Sequence, residues 1–253
     1  KRVIDEGGYA VGTKSDLTSG MNSLDKQNVM WGAGIQVADQ AGGYAGFFTH
    51  MDNKEGAYAK SAPKLISKQL YNRISATDIR RDWWDPSDKE SPYVSKKFSF
   101  ANVASFLGDY IYMRVEEMYF TAAEAALRLD DLKSARELMN TVMAERDPGY
   151  SANNRSGTLL GATTTTWTGS FLENILTHRR IELWGEYGRL FDVRRLGQGI
   201  DRRTDDGFSE ECISMMNRRN VNITKADTYD WVLTIPKAEL DANPNINEED
   251  QNP

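Results

Sequence analysis

His178-Arg-Arg-Ile-Glu-Leu-Trp-Gly-Glu-Tyr-Gly-Arg-Leu-Phe-Asp-Val-Arg-Arg-Leu-Gly197 sets five arginines, two glutamates and one aspartate among large apolar residues within twenty positions. At helical spacing Leu172, Ile175, Leu176, Leu183 and Tyr187 fall on one broad face. Arg179 and Glu182 lie three positions apart, and Glu182 and Glu186 four, so these charges neighbour one another along a helix. A solvated helix rarely mixes Trp, Phe and Leu so closely with charge. The pattern predicts a helix from about Gly169 to Tyr187 whose arginines reach into the fold and hold it by paired, bidentate bonds. The predicted ion-pair network comprises Arg179, Arg180, Glu182, Glu186, Arg189, Asp192 and Arg195. It reads as scaffold and not as catalytic machinery.

Working outward, Val115, Met118, Tyr119, Ala122, Ala126 and Leu129 mark one buried face of a helix from about Tyr112 to Leu129. Asp130-Asp131 makes a turn. A second helix follows from Leu132 to about Arg146, with Leu132, Ala135, Leu138, Met139, Val142 and Met143 inward, until Asp147-Pro148-Gly149 stops it. Two helices joined by so short a turn resemble one tetratricopeptide repeat unit. The chain holds no second copy, and a lone unit cannot bury both its faces.

Three blocks in this region resemble the SusD/RagB family of nutrient-binding outer-membrane lipoproteins of Bacteroidetes. Arg179, Arg180, Glu182, Leu183, Glu186, Arg189, Phe191, Asp192, Arg194 and Arg195 look like its late block. Arg114, Glu117, Ala123, Glu124 and Ala125 resemble its Arg-x-x-Glu…Ala-Glu-Ala helix. Ile235-Pro236, Glu239, Asn243-Pro244 and Gln251-Asn252-Pro253 resemble its C-terminal signature. The blocks occur in the expected order over residues 112–253. His178 departs from the pattern where a glutamate is usual, as do Leu190 and Leu196 where tryptophans are common.

The resemblance implies a mainly α fold, SusD-like and α/α, with a tetratricopeptide-like helix pair, long irregular loops and minor β. It implies that residues 1–253 are the C-terminal region of a longer protein, with a loop-rich aromatic part (1–110) and a helical core and tail (111–253). It further implies non-catalytic capture of an oligosaccharide or other nutrient at the cell surface. Delivery would be to a TonB-dependent SusC-like outer-membrane transporter, with anchoring through a lipid attached outside this chain. The rival readings are a helical-repeat protein adaptor and a helical glycoside hydrolase.

Composition excludes several other classes. A chain of 253 residues with 40% hydrophobic content can bury one large core or two small ones. Its mean hydropathy is −0.60, and no apolar run approaches the ~20 residues a membrane helix needs. The net charge of −6 argues against nucleic acid. Cys212 is the single cysteine, so an intramolecular disulfide is excluded, and His50 and His178 are the only histidines. Neither a metal nor an organic cofactor is implied. Asp205-Asp206 and Glu248-Glu249-Asp250 lack a calcium-loop pattern and read as solvated charge.

The remaining segments read more loosely. Residues 1–10 look like a helix end closed by Gly7-Gly8. Residues 11–60 read as a glycine-rich excursion with short strands around Asn28–Trp31 and Tyr44–Thr49. Lys64–Asn72 reads as a short helix, and Ser75–Asp78 as caps for a further turn running to Trp84. The Ser/Thr-rich stretch 150–169 reads as a surface loop. Trp231–Pro236 reads as extended, followed by a helical turn at Lys237–Asp241.

A pyranose offers a C–H face to an aromatic ring, while its hydroxyls need charged or polar partners. Arg80-Arg81-Asp82-Trp83-Trp84-Asp85 supplies both. The predicted ligand-binding residues are therefore Trp83, Trp84, Asp82 and Arg81, with Tyr44, Phe47 and Phe48 from the glycine-rich excursion. The competing reading places one tryptophan of the pair in the core and the other over a loop. Trp31 reads as a core residue. Glu182 and Glu186 have the separation of a glycosidase pair by default, since they sit on adjacent turns, but flanking arginines would keep both ionised.

Overall fold

A computed structural model describes residues 1–39, 45–160, 168–186, 188–198 and 234–251. Readings made above on Tyr44, residues 163–166, Tyr187, Asp205-Asp206, Cys212, residues 231–233 and Asn252-Pro253 lie outside these residues. The early helices are α1 (Arg2–Glu6), α2 (Lys14–Leu17), α3 (Phe47–Met51), α4 (Ala57–Ser61) and α5 (Lys68–Tyr71). The strands are β1 (Val29–Ala33), β2 (Trp84–Asp85), β3 (Val94–Ser95) and β4 (Tyr110–Arg114). Longer helices follow, α6 (Val115–Arg128), α7 (Leu132–Ala144) and α8 (Phe171–Glu182), then α9 (Arg189–Arg195) and α10 (Lys237–Ala242). The architecture is mainly helical with long irregular connections and little β, as the sequence predicts. The chain divides into two compact units, Lys1–Gly161 with Trp167–Tyr187, and Ala162–Thr166 with Gly188–Pro253.

The first unit is built on the α6–α7 hairpin. Asp130 adopts the left-handed backbone (φ 62°) that reverses the chain, and the Asp131 carboxylate caps α7 by accepting from Ser134 N at 3.0 Å. Helix α8 lies against α6, and Phe120, Leu127, Leu138, Met139, Phe171 and Ile175 close a common core. Each such side chain, fully buried, contributes about 1.5–3 kcal/mol. A second cluster gathers Leu17, Ile66, Leu70, Ile74, Trp83 and Trp84 around Ile181.

Helix α6 differs from its reading in two ways. It begins at Val115, because Tyr110–Arg114 pair as β4 with β1. Tyr110, Ile111 and Tyr112 are strand formers, and Val115 N bonds back to Asn28 O at 2.9 Å. Val115 is buried as read, but the rest of the buried stripe is Glu116, Phe120, Ala123, Glu124 and Leu127, while Met118, Tyr119, Ala122 and Ala126 are half-buried. Leu129 is 80% exposed. Two inward glutamates disguise the stripe from a count of apolar residues. Leu127→Ala is expected to cost about 2–5 kcal/mol, and Leu129→Ser to stay within about 0.5 kcal/mol. Thermal melts of the two variants check the register, and the opposite ranking would restore the stripe read from sequence.

Other differences are local. The strand expected around Tyr44–Thr49 is helical from Phe47. The third long helix ends at Glu182 and not near Gly188. There Gly185 takes φ 75°, and a Cβ on it would lie 2.7 Å from Phe98 and 2.8 Å from Met51, so the turn requires glycine. The short helix within Lys64–Asn72, the Asp78-capped turn to Trp83 and the helix after Pro236 are present. In the second unit Ile235 N donates to Gln251 Oε1 at 2.8 Å, and Gln251 Nε2 returns a bond to Ile235 O at 3.0 Å.

Candidate functional site

The charges of α8 end in a buried cluster. The Glu182 side chain has no exposure, and its Oε1 accepts from Arg114 Nη1 and Arg146 Nη2, each at 3.0 Å. Its Oε2 accepts from Arg80 Nη1 at 3.1 Å and Arg146 Nε at 3.0 Å. Glu186 Oε1 accepts from Lys97 Nζ at 2.6 Å and Arg114 Nη2 at 2.7 Å, and its Oε2 from Arg114 Nε at 2.9 Å. Lys97 Nζ also donates to Glu182 O and Trp184 O at 2.7 and 2.8 Å, which closes the C-terminal end of α8. Glu116 takes Arg146 Nη2 at 2.8 Å, and Asp78 takes Arg80 Nη2 at 2.6 Å. Arg80, Lys97, Arg114 and Arg146 thus balance Asp78, Glu116, Glu182 and Glu186.

Gly12 joins the cluster through its backbone, its N donating to Glu116 Oε1 at 2.8 Å and its O accepting from Arg146 Nη1 at 2.6 Å. A Cβ there would stand 2.6 Å from Asn28 Nδ2.

The sequence reading placed both glutamates in a network but chose other partners for them. Donors to a fully enclosed carboxylate come from elements packed against it. Arg80 follows α5, Arg114 ends β4 and Arg146 follows α7. Arg179 turns to α6 and pairs with Glu117 at 2.8 Å. Asp192 pairs with Arg195 inside α9 at 2.8 Å, and Arg189 Nη2 reaches Gln198 Oε1 at 3.4 Å, all within the second unit. Arg180 is half-buried.

Burial by itself raises a carboxyl, but Arg146, Arg114 and Arg80 outweigh it and hold Glu182 well below its ordinary value. Burial likewise opposes ionisation of Glu186, and Arg114 and Lys97 prevail in lowering it. A glycosidase acid must keep its proton near neutral pH, which neither residue can do. Burial, followed by the Arg80 guanidinium, keeps His178 well below the usual imidazole range, and burial pushes Lys97 down to about 8.

Because both folded carboxyl values lie below the ordinary 4.5, their stabilisation is full above that value and is lost as pH falls through the folded ones. Buried, neutral His178 adds a milder loss below about 6.5, where the unfolded imidazole takes a proton, so the melting temperature is expected to decline gently from there and steeply below about 4.5. A melt series in acid buffers checks this, and a constant value down to about pH 3 would contradict it.

Beside this cluster the β1–β4 ribbon opens an apolar groove. The register pairs Val29 with Arg114, Trp31 with Met113 and Gly32 with Ile111, so Met30 and Tyr112 are each an extra, unpaired residue. Such bulges re-aim side chains. Here they leave Trp31 61% exposed, with its ring 5.0 Å from that of Tyr112 at an interplanar angle of 62°. Gly32 is tied to the same irregularity, since a Cβ on it would lie 2.4 Å from Tyr110 O. Trp31 and Tyr112 edge a cavity of about 430 Å³. Met21, Phe47, Phe98 and Tyr110 line it, with Ile111, Met113 and Glu186.

The sequence-predicted ligand residues part company. Trp83 is buried, its Nε1 donating to Leu17 O at 2.8 Å and Lys97 Nζ lying 4.6 Å from its ring centroid. Trp84 is buried between Trp83 and Trp184, with centroids at 5.8 and 5.7 Å, and Phe48 is buried against Phe47 and Phe100. These three rings have no face left for a sugar, which corrects their reading as a platform. Arg81 donates to Ile74 O at 2.7 Å and lies over the Tyr71 ring at 4.4 Å. Exposed Asp82 shares with Arg81 a polar depression of about 370 Å³, away from the groove. Phe47 alone of the predicted set lines the groove, Tyr44 being outside the described residues.

Trp31, read as core, is instead the most exposed aromatic ring of the groove, and Tyr110, Tyr112 and Phe98 were missed. A usable signal existed in Trp31-Gly-Ala-Gly, because glycine inside a strand marks a bulge. Among the described residues, no group of His, Cys, Asp and Glu side chains is arranged to hold a metal. No described helix is long and apolar enough to cross a membrane.

The sequence model of the SusD family matches residues 47–253. The fold is similar to that of a SusD-like carbohydrate binding protein from Bacteroides vulgatus (TM-score 0.70, 24% identity, covering 96% of this chain and 53% of that one). A SusD superfamily protein from Bacteroides thetaiotaomicron compares at TM-score 0.71 and 21% identity, over 100% of this chain and 55% of that one. Surface glycan-binding protein A from Bacteroides uniformis compares at TM-score 0.57 and 16% identity, over 99% and 54%. The chain therefore spans about half the length of these structures. Comparison with curated proteins returned no significant match.

Proposed function

Because the chain belongs to the SusD family, we propose that it is a non-catalytic binding protein of the outer cell surface. In this reading it captures an oligosaccharide, or another nutrient with a similar apolar face, and passes it to a TonB-dependent SusC-like transporter. The whole protein is held at the outer membrane by a lipid anchor. The observation that carries the binding role is the 61% exposure of Trp31 at the edge of a groove lined by further aromatic rings. An indole left bare beside water is costly unless something covers it, and a sugar's C–H face does so without demanding a deep pocket. The engaged, ionised state of Glu182 and Glu186 supports the non-catalytic part.

Shallow stacking gives weak binding, on the order of micromolar to millimolar. Trp31→Ala is expected to lose about 1–2 kcal/mol of it, with the melting temperature unchanged. Isothermal titration over a glycan panel checks this. Affinity that survives Trp31→Ala intact, or release of reducing ends from any glycan, would overturn the reading. Binding to a purified transporter without any glycan response would favour the protein-adaptor alternative.

A further inference from the structure

We propose that Lys97 is a positioning residue for the groove, its ammonium holding the 182–186 turn against Phe98 so that ligand affinity follows its protonation. This rests on the binding role proposed above and names a residue that regulates the same site. The Lys97 side chain has no exposure, and its Nζ lies 4.6 and 5.1 Å from the ring centroids of Trp83 and Phe98. An ammonium carries three hydrogens and no lone pair. Three acceptors surround this one, Glu182 O at 2.7 Å, Trp184 O at 2.8 Å and Glu186 Oε1 at 2.6 Å, and all belong to the turn that leaves α8. Phe98 and Glu186 line the groove, and Gly185 packs so closely on the Phe98 ring that a Cβ would lie 2.7 Å from it. Lys97 thus joins the segment carrying Phe98 to the turn carrying Glu186.

A neutral amine breaks the match. It has two hydrogens and a lone pair, so one of the three oxygens must face that lone pair and recede. The bonds that remain also lose their charge assistance. Arg114 Nη2 separately binds Glu182 O at 3.1 Å and Glu186 Oε1 at 2.7 Å. Trp184 O, next to Gly185, has no second donor among the described residues, so the middle of the turn depends on Lys97. The charges facing Nζ are the Glu186 and Glu182 carboxylates and the Arg114 guanidinium. Burial, helped by the like charge of Arg114, outweighs the two carboxylates and pushes Lys97 down to about 8. Because that value lies below the ordinary 10.5, the contribution of Lys97 to global stability is full above 10.5 and is lost as pH falls through about 8. It rises across the window in which the turn loosens, so binding lost there is not a sign of unfolding.

The test titrates the 253-residue chain with neutral oligosaccharides (gluco-, xylo- and manno-oligomers), which carry no charge that changes with pH. Titrations of the wild-type chain and of Lys97→Met are run at about pH 7 and about pH 9, and hydrogen exchange across the 182–186 turn is followed without ligand. Wild-type affinity is expected to fall about tenfold between these values, as the charged fraction of Lys97 falls to roughly one tenth. Protection of the Trp184 and Glu186 amides, which bond Ile181 O and Leu183 O, should fall with it once the intrinsic pH dependence of exchange is divided out. Lys97→Met should bind weakly at both values, with no pH dependence. The wild-type series decides the matter even where Lys97→Met fails to fold. Equal wild-type affinity and protection at the two values, or the same decline in a folded Lys97→Met, would overturn this inference and leave the binding role standing. A panel in which nothing binds would remove the binding role itself, and this inference with it.

Discussion

Glu182→Ala is expected to destabilise the first unit by about 3–5 kcal/mol, a large part of the roughly 5–15 kcal/mol available to a whole domain. The carboxylate stands between Arg80, Arg114 and Arg146 with no exposure. Removing it leaves three buried guanidiniums facing one another, each with a lost partner. The neighbouring acids Asp78, Glu116 and Glu186 are already engaged and cannot substitute. Urea titration followed by circular dichroism reads the loss. Glu182→Gln, which keeps the shape and removes the charge, should be nearly as damaging. A variant with native stability would show that the cluster is incidental to the fold.

Trp83→Ala is expected to cost about 3–5 kcal/mol of folding, since it empties a space in the second core cluster. It also strands Leu17 O, the acceptor of the indole N–H at 2.8 Å, and removes the ring against which Lys97 lies. Glycan affinity of the protein that remains folded should be unaltered. Thermal melts and titration of the same preparation separate the effects, and lost binding with a native melting temperature would return Trp83 to the ligand.

How far the sequence could be read varies with the range of the interaction. The α7 face and the Asp130-Asp131 turn before it were legible because they depend on residues a few positions apart. The structural character of Glu182 and Glu186 was legible too, from carboxylates set among large apolar side chains. Their partners were not, because Arg80, Arg114 and Arg146 are distant in the chain and meet only when the helices pack. The same blindness explains the tryptophan pair. Charged neighbours suggested that Trp83 and Trp84 lie on the surface, yet Asp78 and Arg80 are themselves 2% and 0% exposed, inside the cluster. Polar company was evidence of a buried network and was taken for evidence of solvent. Trp31 escaped for a different reason: two bulges break the alternation of the ribbon, and no count of inward and outward positions survives them.

The most direct measurement is a crystal structure of the chain with a neutral oligosaccharide that binds it in solution. The account predicts one sugar ring lying parallel to the Trp31 indole at about 4 Å, with Trp83 and Trp84 still enclosed. A sugar seated elsewhere, for instance in the depression of about 750 Å³ bordered by Asp52, Asp88 and Lys96, with the Trp31 ring bare, would contradict it.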